Sequence, residues 1–236
     1  MAIHPGAGDG VLDDYLTLVA ASVSFVGSHF LMSHPLRATV VRRLGANGFM
    51  LIYSVVSLAT FVWMIFEFGR APKAEGFWPV GDAVWIIASL ITLVAAVLFS
   101  GSFIRNPSLP GVPDALAAQT PSGVFKVTRH PMMWGFALWG VAHILVAPRI
   151  DNFIFAGSLV FLALAGSKAQ ELKKRKLMGG QWESWLRRTH FTVRPGALPK
   201  VGIGPWIAGA LIWAAATWAH PFWGVAGAGL FRWFGV

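Results

Sequence analysis

Ser122 to Pro148 reads SGVFKVTRHPMMWGFALWGVAHILVAP, and this stretch decides the fold. A short polar approach with Lys126, Arg129 and His130 meets Pro131, and an apolar run of about one bilayer thickness follows, carrying His143 deep inside. Proline suits the first position of a helix, because its missing N–H would find no partner there, and its ring drives the preceding residue out of helical dihedrals. His130 is therefore expected at a helix mouth. His143 lies within the apolar run, where an ionisable side chain is costly and by default functional. The alternative is a neutral imidazole bonded to a neighbouring helix.

Five further runs resemble that one. Leu16 to Met32, Phe49 to Phe66, Ala83 to Ile104, Phe153 to Gly166 and Val201 to Trp218 carry no charge except at their ends. Of the 236 residues 56% are hydrophobic and 12% charged, and the mean hydropathy is +0.61. These values predict an all-α, polytopic membrane bundle of about six transmembrane helices forming one domain over 1–236. The alternation of a barrel strand is absent. A last apolar stretch, 221–236, is short and interrupted by Arg232, and is expected as an interfacial or re-entrant tail.

The net charge of +9 would suit a nucleic acid, but its placement suits a bilayer. Fifteen of the 19 Lys and Arg residues fall in the loops 35–47, 105–130 and 168–200. The other four, Arg70, Lys73, Arg149 and Arg232, fall in the alternate segments. The positive-inside rule then puts those three loops in the cytoplasm and both termini outside it, as expected of a bacterial inner-membrane protein with no nucleic-acid partner. Asp9, Asp13 and Asp14 precede the first run where a signal peptide would be basic, so that run is expected to be retained. Cysteine is absent, which excludes thiolate metal sites, iron–sulfur clusters and covalent haem attachment, and leaves His, Met, Tyr or carboxylate as metal donors.

His29 lies about one turn from His34 in SFVGSHFLMSHPLR, where Ser24, Gly27 and Ser28 form a small face suited to close helix approach. His34 precedes Pro35 and reads as interfacial. His29 is the candidate for a buried role, as a metal ligand or as a hydrogen-bonding group between helices. The proline-rich link Asn106 to Pro121 is expected without regular helix. In SKAQELKKRKLMGGQWESWLRRTHFTVRPG, Gly179-Gly180 is expected to stop a helix. Trp182 to Arg188 is expected to form a basic amphipathic helix suited to a membrane surface.

Taken together, Gly27-Ser28-His29, Pro35-Leu36-Arg37, LIYSVVSL at Leu51 to Leu58, Arg70-Ala71-Pro72, and Thr128-Arg129-His130-Pro131 with Gly135, Trp139 and Ala142-His143 resemble the NnrU family of bacterial membrane proteins. That family is related to the zeta-carotene isomerases, which hold haem b. The resemblance implies haem b with His29 and His143 as axial metal ligands, and Arg129, His130, Gly135, Trp139 and Gly140 around the cofactor. Gly135 and Gly140 would admit a porphyrin to the helix backbone, with Trp134, Trp139 and Phe136 packed on it, and His130 would substitute if His143 were out of reach. At 1.5 Å per residue the two ligands differ in height by roughly 10 Å, a gap that imidazoles on opposite sides of an iron can cover.

The implied activity is redox or isomerase-type chemistry on a hydrophobic small molecule, or a part in denitrification and nitric oxide metabolism. Gly140 stands where the isomerases carry a cysteine, so a His/Cys ligand exchange is not available. The central motif also resembles isoprenylcysteine carboxyl methyltransferases, with Gln170, Glu171, Gly180 and Trp182 as a loose later element. That likeness implies S-adenosylmethionine at Arg129 and His130 as an alternative. A non-enzymatic haem sensing or assembly protein is a third reading. No catalytic residue is implied.

Overall fold

A computed structural model describes residues 13–109 and 114–234. Asp9 and His4, and Pro110 and Pro113 of the proline-rich link, lie outside the described residues. The helices are α1 (Leu16–Ser33), α2 (Arg37–Arg70), α3 (Asp82–Gly101), α4 (Pro131–Val146), α5 (Ile150–Met178), α6 (Gly180–Arg188), α7 (Ile203–Ala219) and α8 (Phe231–Phe234). No strand occurs among the described residues.

The protein is an all-α membrane bundle. Its large apolar side chains point outward: Leu51 is 67% exposed and Ile203 73%, as suits helices whose solvent is lipid rather than water. Four helices, α1, α2, α3 and α5, are long and apolar enough to cross a bilayer. The expected count of about six included α4 and α7. These have only 16 and 17 residues, or about 24–26 Å of rise against a hydrocarbon core of roughly 30 Å.

The chain divides into two compact units, residues 1–79 with 147–159 and residues 80–146 with 160–236. In unit one α1 packs on α2. The 35–47 loop expected from the charges is mostly helix, because α2 already starts at Arg37. Arg and Leu favour helix whatever their exposure, and Gly45, at φ 72° and ψ 175°, breaks the axis before the apolar shaft begins. Asp151, wholly buried, takes Lys73 Nζ at 2.8 Å and Arg149 Nε at 3.1 Å, which ties the segment after α2 to the first turn of α5.

In unit two α3 packs against both α4 and α7. Two glycines make these approaches possible. A Cβ at Gly135 would stand 3.0 Å from the Ala95 carbonyl oxygen, and one at Gly209 would stand 2.6 Å from Val97 Cα. α5 runs on past its apolar stretch to Met178 and ends at Gly179, whose φ of +51° no helix tolerates.

The next helix corrects an expectation. Trp182 is 0% and Trp185 2% exposed. Both sit in a core with Val97, Leu98, Ala117, Val124, Phe125, Val127 and Val201, so the apolar face of α6 covers protein and not a membrane surface. Arg188 reinforces the contact by donating to the carbonyls of Ala117, Ala118 and Gln119 around the short 3-10 turn Asp114–Ala118. That turn is the helical structure present in the described part of the link. The tail folds back on the start of α3, with Arg232 4.4 Å over the Trp85 ring and 3.4 Å from Asp82 Oδ1.

Candidate functional site

α4 has a histidine site at each end. At its start, Pro131 opens the helix and His130 immediately precedes it. The His130 ring is sealed, with the residue 2% exposed. Its Nε2 donates to Glu171 Oε1 at 2.9 Å, and Arg129 Nε donates to the same oxygen at 2.5 Å. Arg129 Nη1 also donates to the Thr189 carbonyl at 3.1 Å. Burial pushes the His130 imidazole below its ordinary value of 6.5, against the raising effect of the Glu171 bond. The neutral ring therefore carries its proton on Nε2, and Nδ1, with no partner, carries the lone pair.

A strap of residues covers this cluster. Arg129 N–H donates to the His190 carbonyl at 2.8 Å and Arg194 N–H to the Val127 carbonyl at 3.0 Å. Thr128 Oγ1 and Trp134 Nε1 both donate to the Phe191 carbonyl, at 2.8 and 2.7 Å. The Phe191 ring lies 5.5 Å from the His130 ring, edge to face, and Lys168 Nζ stands 3.8 Å over it.

His143 sits three residues before the other end of α4, half-buried. The thirteen residues from His130 to His143 rise about 20 Å along the helix, so the two cannot serve as substitutes at one position. The reading of His143 as deep within its span gives way to one near the helix end, because α4 stops at Val146. Its Nδ1 donates to the Trp139 carbonyl at 2.7 Å, and the Trp139 ring lies 3.9 Å away, centre to centre. His220, at the end of α7, has its ring 6.3 Å from that of His143 with 23° between their planes. Its Nδ1 donates to the Ala216 carbonyl at 2.8 Å.

His29 belongs to unit one. Its Nδ1 donates to the Phe25 carbonyl at 2.7 Å, and its ring meets Phe25 at 4.5 Å and Tyr53 at 5.5 Å, both edge to face.

The donor set suits haem iron. With Nδ1–H given to a carbonyl, the lone pair of each of these imidazoles lies on Nε2, the arrangement that metal-bound histidines commonly have. Among the described residues no group of three His, Cys, Asp or Glu side chains could hold a bare metal ion. The expected porphyrin cradle is corrected in part. Gly135 is filled by α3 rather than open, Trp134 is committed to the strap, and Phe136 packs on Phe99 at 5.6 Å. Gly140 is buried and Trp139 remains beside His143. On the methyltransferase side, two nitrogens of the Arg129 guanidinium are engaged by Glu171 and Thr189, which works against its pairing with a cofactor carboxylate.

The sequence gives Glu171 no evident partner. The signal for Glu171 was its isolation: it is the single acid between Asp151 and Glu183, among many cations.

A family model described as NnrU protein matches residues 17–227. No curated protein and no solved structure matches the chain.

Proposed function

The chain belongs to the NnrU family, and from that premise we propose that it binds haem b, with His143 and His29 as the imidazoles that the family resemblance implies would hold it. The observation that carries this reading is the shared tautomer: both rings give Nδ1–H to the carbonyl four residues earlier at 2.7 Å. An imidazole fixed in that way keeps its Nε2 lone pair in a set direction, which lowers the ordering cost of ligation. Trp139 against one face of His143 restrains the ring further. Haem so bound supplies electron transfer, diatomic-ligand binding or polarisation of an unsaturated substrate. These chemistries fit the redox, isomerase-type and denitrification-related roles suggested by the resemblance.

The experiment is an absorption spectrum of protein purified in detergent, with extraction of the pigment. A Soret band that weakens in His143→Ala is the expected result, and a colourless protein that takes up no added haemin would refute the reading. Bound haem without turnover would assign the protein to sensing or assembly. The S-adenosylmethionine alternative is less well supported because of the Arg129 contacts, and calorimetry with that cofactor tests it.

The proposed topology puts 168–200 on the cytoplasmic face of a bacterial inner membrane and both termini on the other face. It rests on the 15 to 4 division of cations. Reporter fusions that place this segment outside would overturn it.

A further inference from the structure

Positive charge gathers in the turns just ahead of α4 and after α6, in residues that neither the haem reading nor the Glu171 cluster uses. A cavity of about 670 Å³ opens there, lined by Lys126, Arg188, Arg194 and Lys200 beside His190. That size is typical of small-molecule sites. None of the described lining residues is acidic, and none of the four cations forms an ion pair among the described residues. Like charges around one mouth repel, and an anion seated among them removes that cost.

The cations stand on a fixed frame. Lys126 closes the 3-10 turn Gly123–Lys126 and Lys200 the turn Pro195–Lys200, and Lys126 Nζ donates to the Lys200 carbonyl at 3.3 Å. Arg194 is held at its backbone by the Val127 carbonyl, and its Nη1 donates to His190 Nε2 at 2.8 Å. Arg188 gives Nε, Nη1 and Nη2 to carbonyls, so it supplies charge rather than contact. Among the described residues no hydrogen bond engages Lys200 Nζ, nor Nε and Nη2 of Arg194. A frame already ordered spares a ligand the cost of arranging it.

These spare donors select the ligand. Nε and Nη2 form the edge of a guanidinium that takes two oxygens of one anion. With the Lys200 ammonium beside it, the mouth offers more donors and more charge than a carboxylate can use. A phosphomonoester, with three terminal oxygens and a charge of about −1.5 to −2, uses both. We propose that this mouth binds a phosphomonoester. The inference stands apart from the haem reading and survives its failure.

The test follows melting of the full chain in neutral detergent at constant ionic strength, with glycerol 3-phosphate or with phosphatidic acid in mixed micelles. Glycerol and a diacylglycerol of the same chains are the blanks that lack the phosphate. Wild type is expected to show a saturable rise of about 2–4 °C over the matching blank. A rise with glycerol 3-phosphate identifies a soluble source, and a rise confined to phosphatidic acid identifies a lipid headgroup. Lys200→Gln and Arg194→Gln leave the backbone bonds of the frame in place and are expected to remove most of the rise. Lys176→Gln, which deletes the same charge at an exposed position outside the cavity, is expected to keep it. No rise with either phosphate overturns the inference, as does a rise that both mouth variants retain or that Lys176→Gln loses equally.

Discussion

The two ends of α4 solve opposite problems with the same residue type. At the Pro131 end His130 is sealed and tied to a carboxylate that also holds a guanidinium, under a strap bonded at several points. At the Val146 end His143 is half-buried, and the bond at its Nδ1 goes to its own helix. A buried charge cluster depends on every member, because removing one leaves the others desolvated and unpaired. The Nδ1 bond of His143 is local to its own helix, so it ties no second element into the fold. The motif most conspicuous in the sequence, Arg129-His130-Pro131, has the character of a structural lock, while the less conspicuous His143 is half-buried and bonded within its own helix.

The largest effect should come from opening the lock. Glu171→Ala leaves Arg129 Nε and His130 Nε2 buried without an acceptor and should lower stability by about 3 kcal/mol, visible as a fall in the detergent melting temperature or as lost expression. His143→Ala should cost less than about 1 kcal/mol while removing most of the haem absorbance. If the two variants exchanged these results, the comparison would be inverted.

Next in size is the packing on which both ends depend. Gly209→Ala drives a Cβ to 2.6 Å from Val97 Cα, and backbone cannot yield as a flexible side chain would. A loss of about 1–3 kcal/mol is expected, read as a lower melting temperature in detergent. Gly135→Ala, with its nearest contact at 3.0 Å, should show the same effect to a smaller degree.

The smallest effect is the pH dependence of the lock. His130 titrates lower in the folded protein than its ordinary 6.5, so between the two values the unfolded chain binds more protons than the native one. Stability then rises with pH through that window, and the His130 contribution is complete above about 6.5. Melting curves from pH 7 downward should show this slope in wild type, and His130→Gln should flatten it.

Much of this architecture is legible in the sequence, for reasons that differ by element. Pro131 as a helix start and Gly179 as a stop are local, set by one residue's dihedrals. The apolar runs are equally local. The helical arm ahead of Gly45 is not, because its exposed, cationic residues have no apolar periodicity to mark it. α6 misleads for another reason: a tryptophan-bearing amphipathic helix reads alike whether lipid or protein covers its apolar face. The Glu171 partnership with His130 and the approach of His220 to His143 join distant positions, and they follow from packing on α3 that no local pattern encodes.

The break at Gly45 has a mechanical consequence. As one straight rod, α2 would measure about 51 Å, well beyond the roughly 30 Å of hydrocarbon. The left-handed glycine acts as a universal joint, so the arginine-bearing arm from Arg37 to Leu44 can rest among the headgroups while the shaft beyond it leans to match the local bilayer thickness. A residue with a Cβ disfavours the φ of 72° and ψ of 175° that make the bend, and a straightened helix would carry its arginine-bearing arm along with the tilt of the shaft.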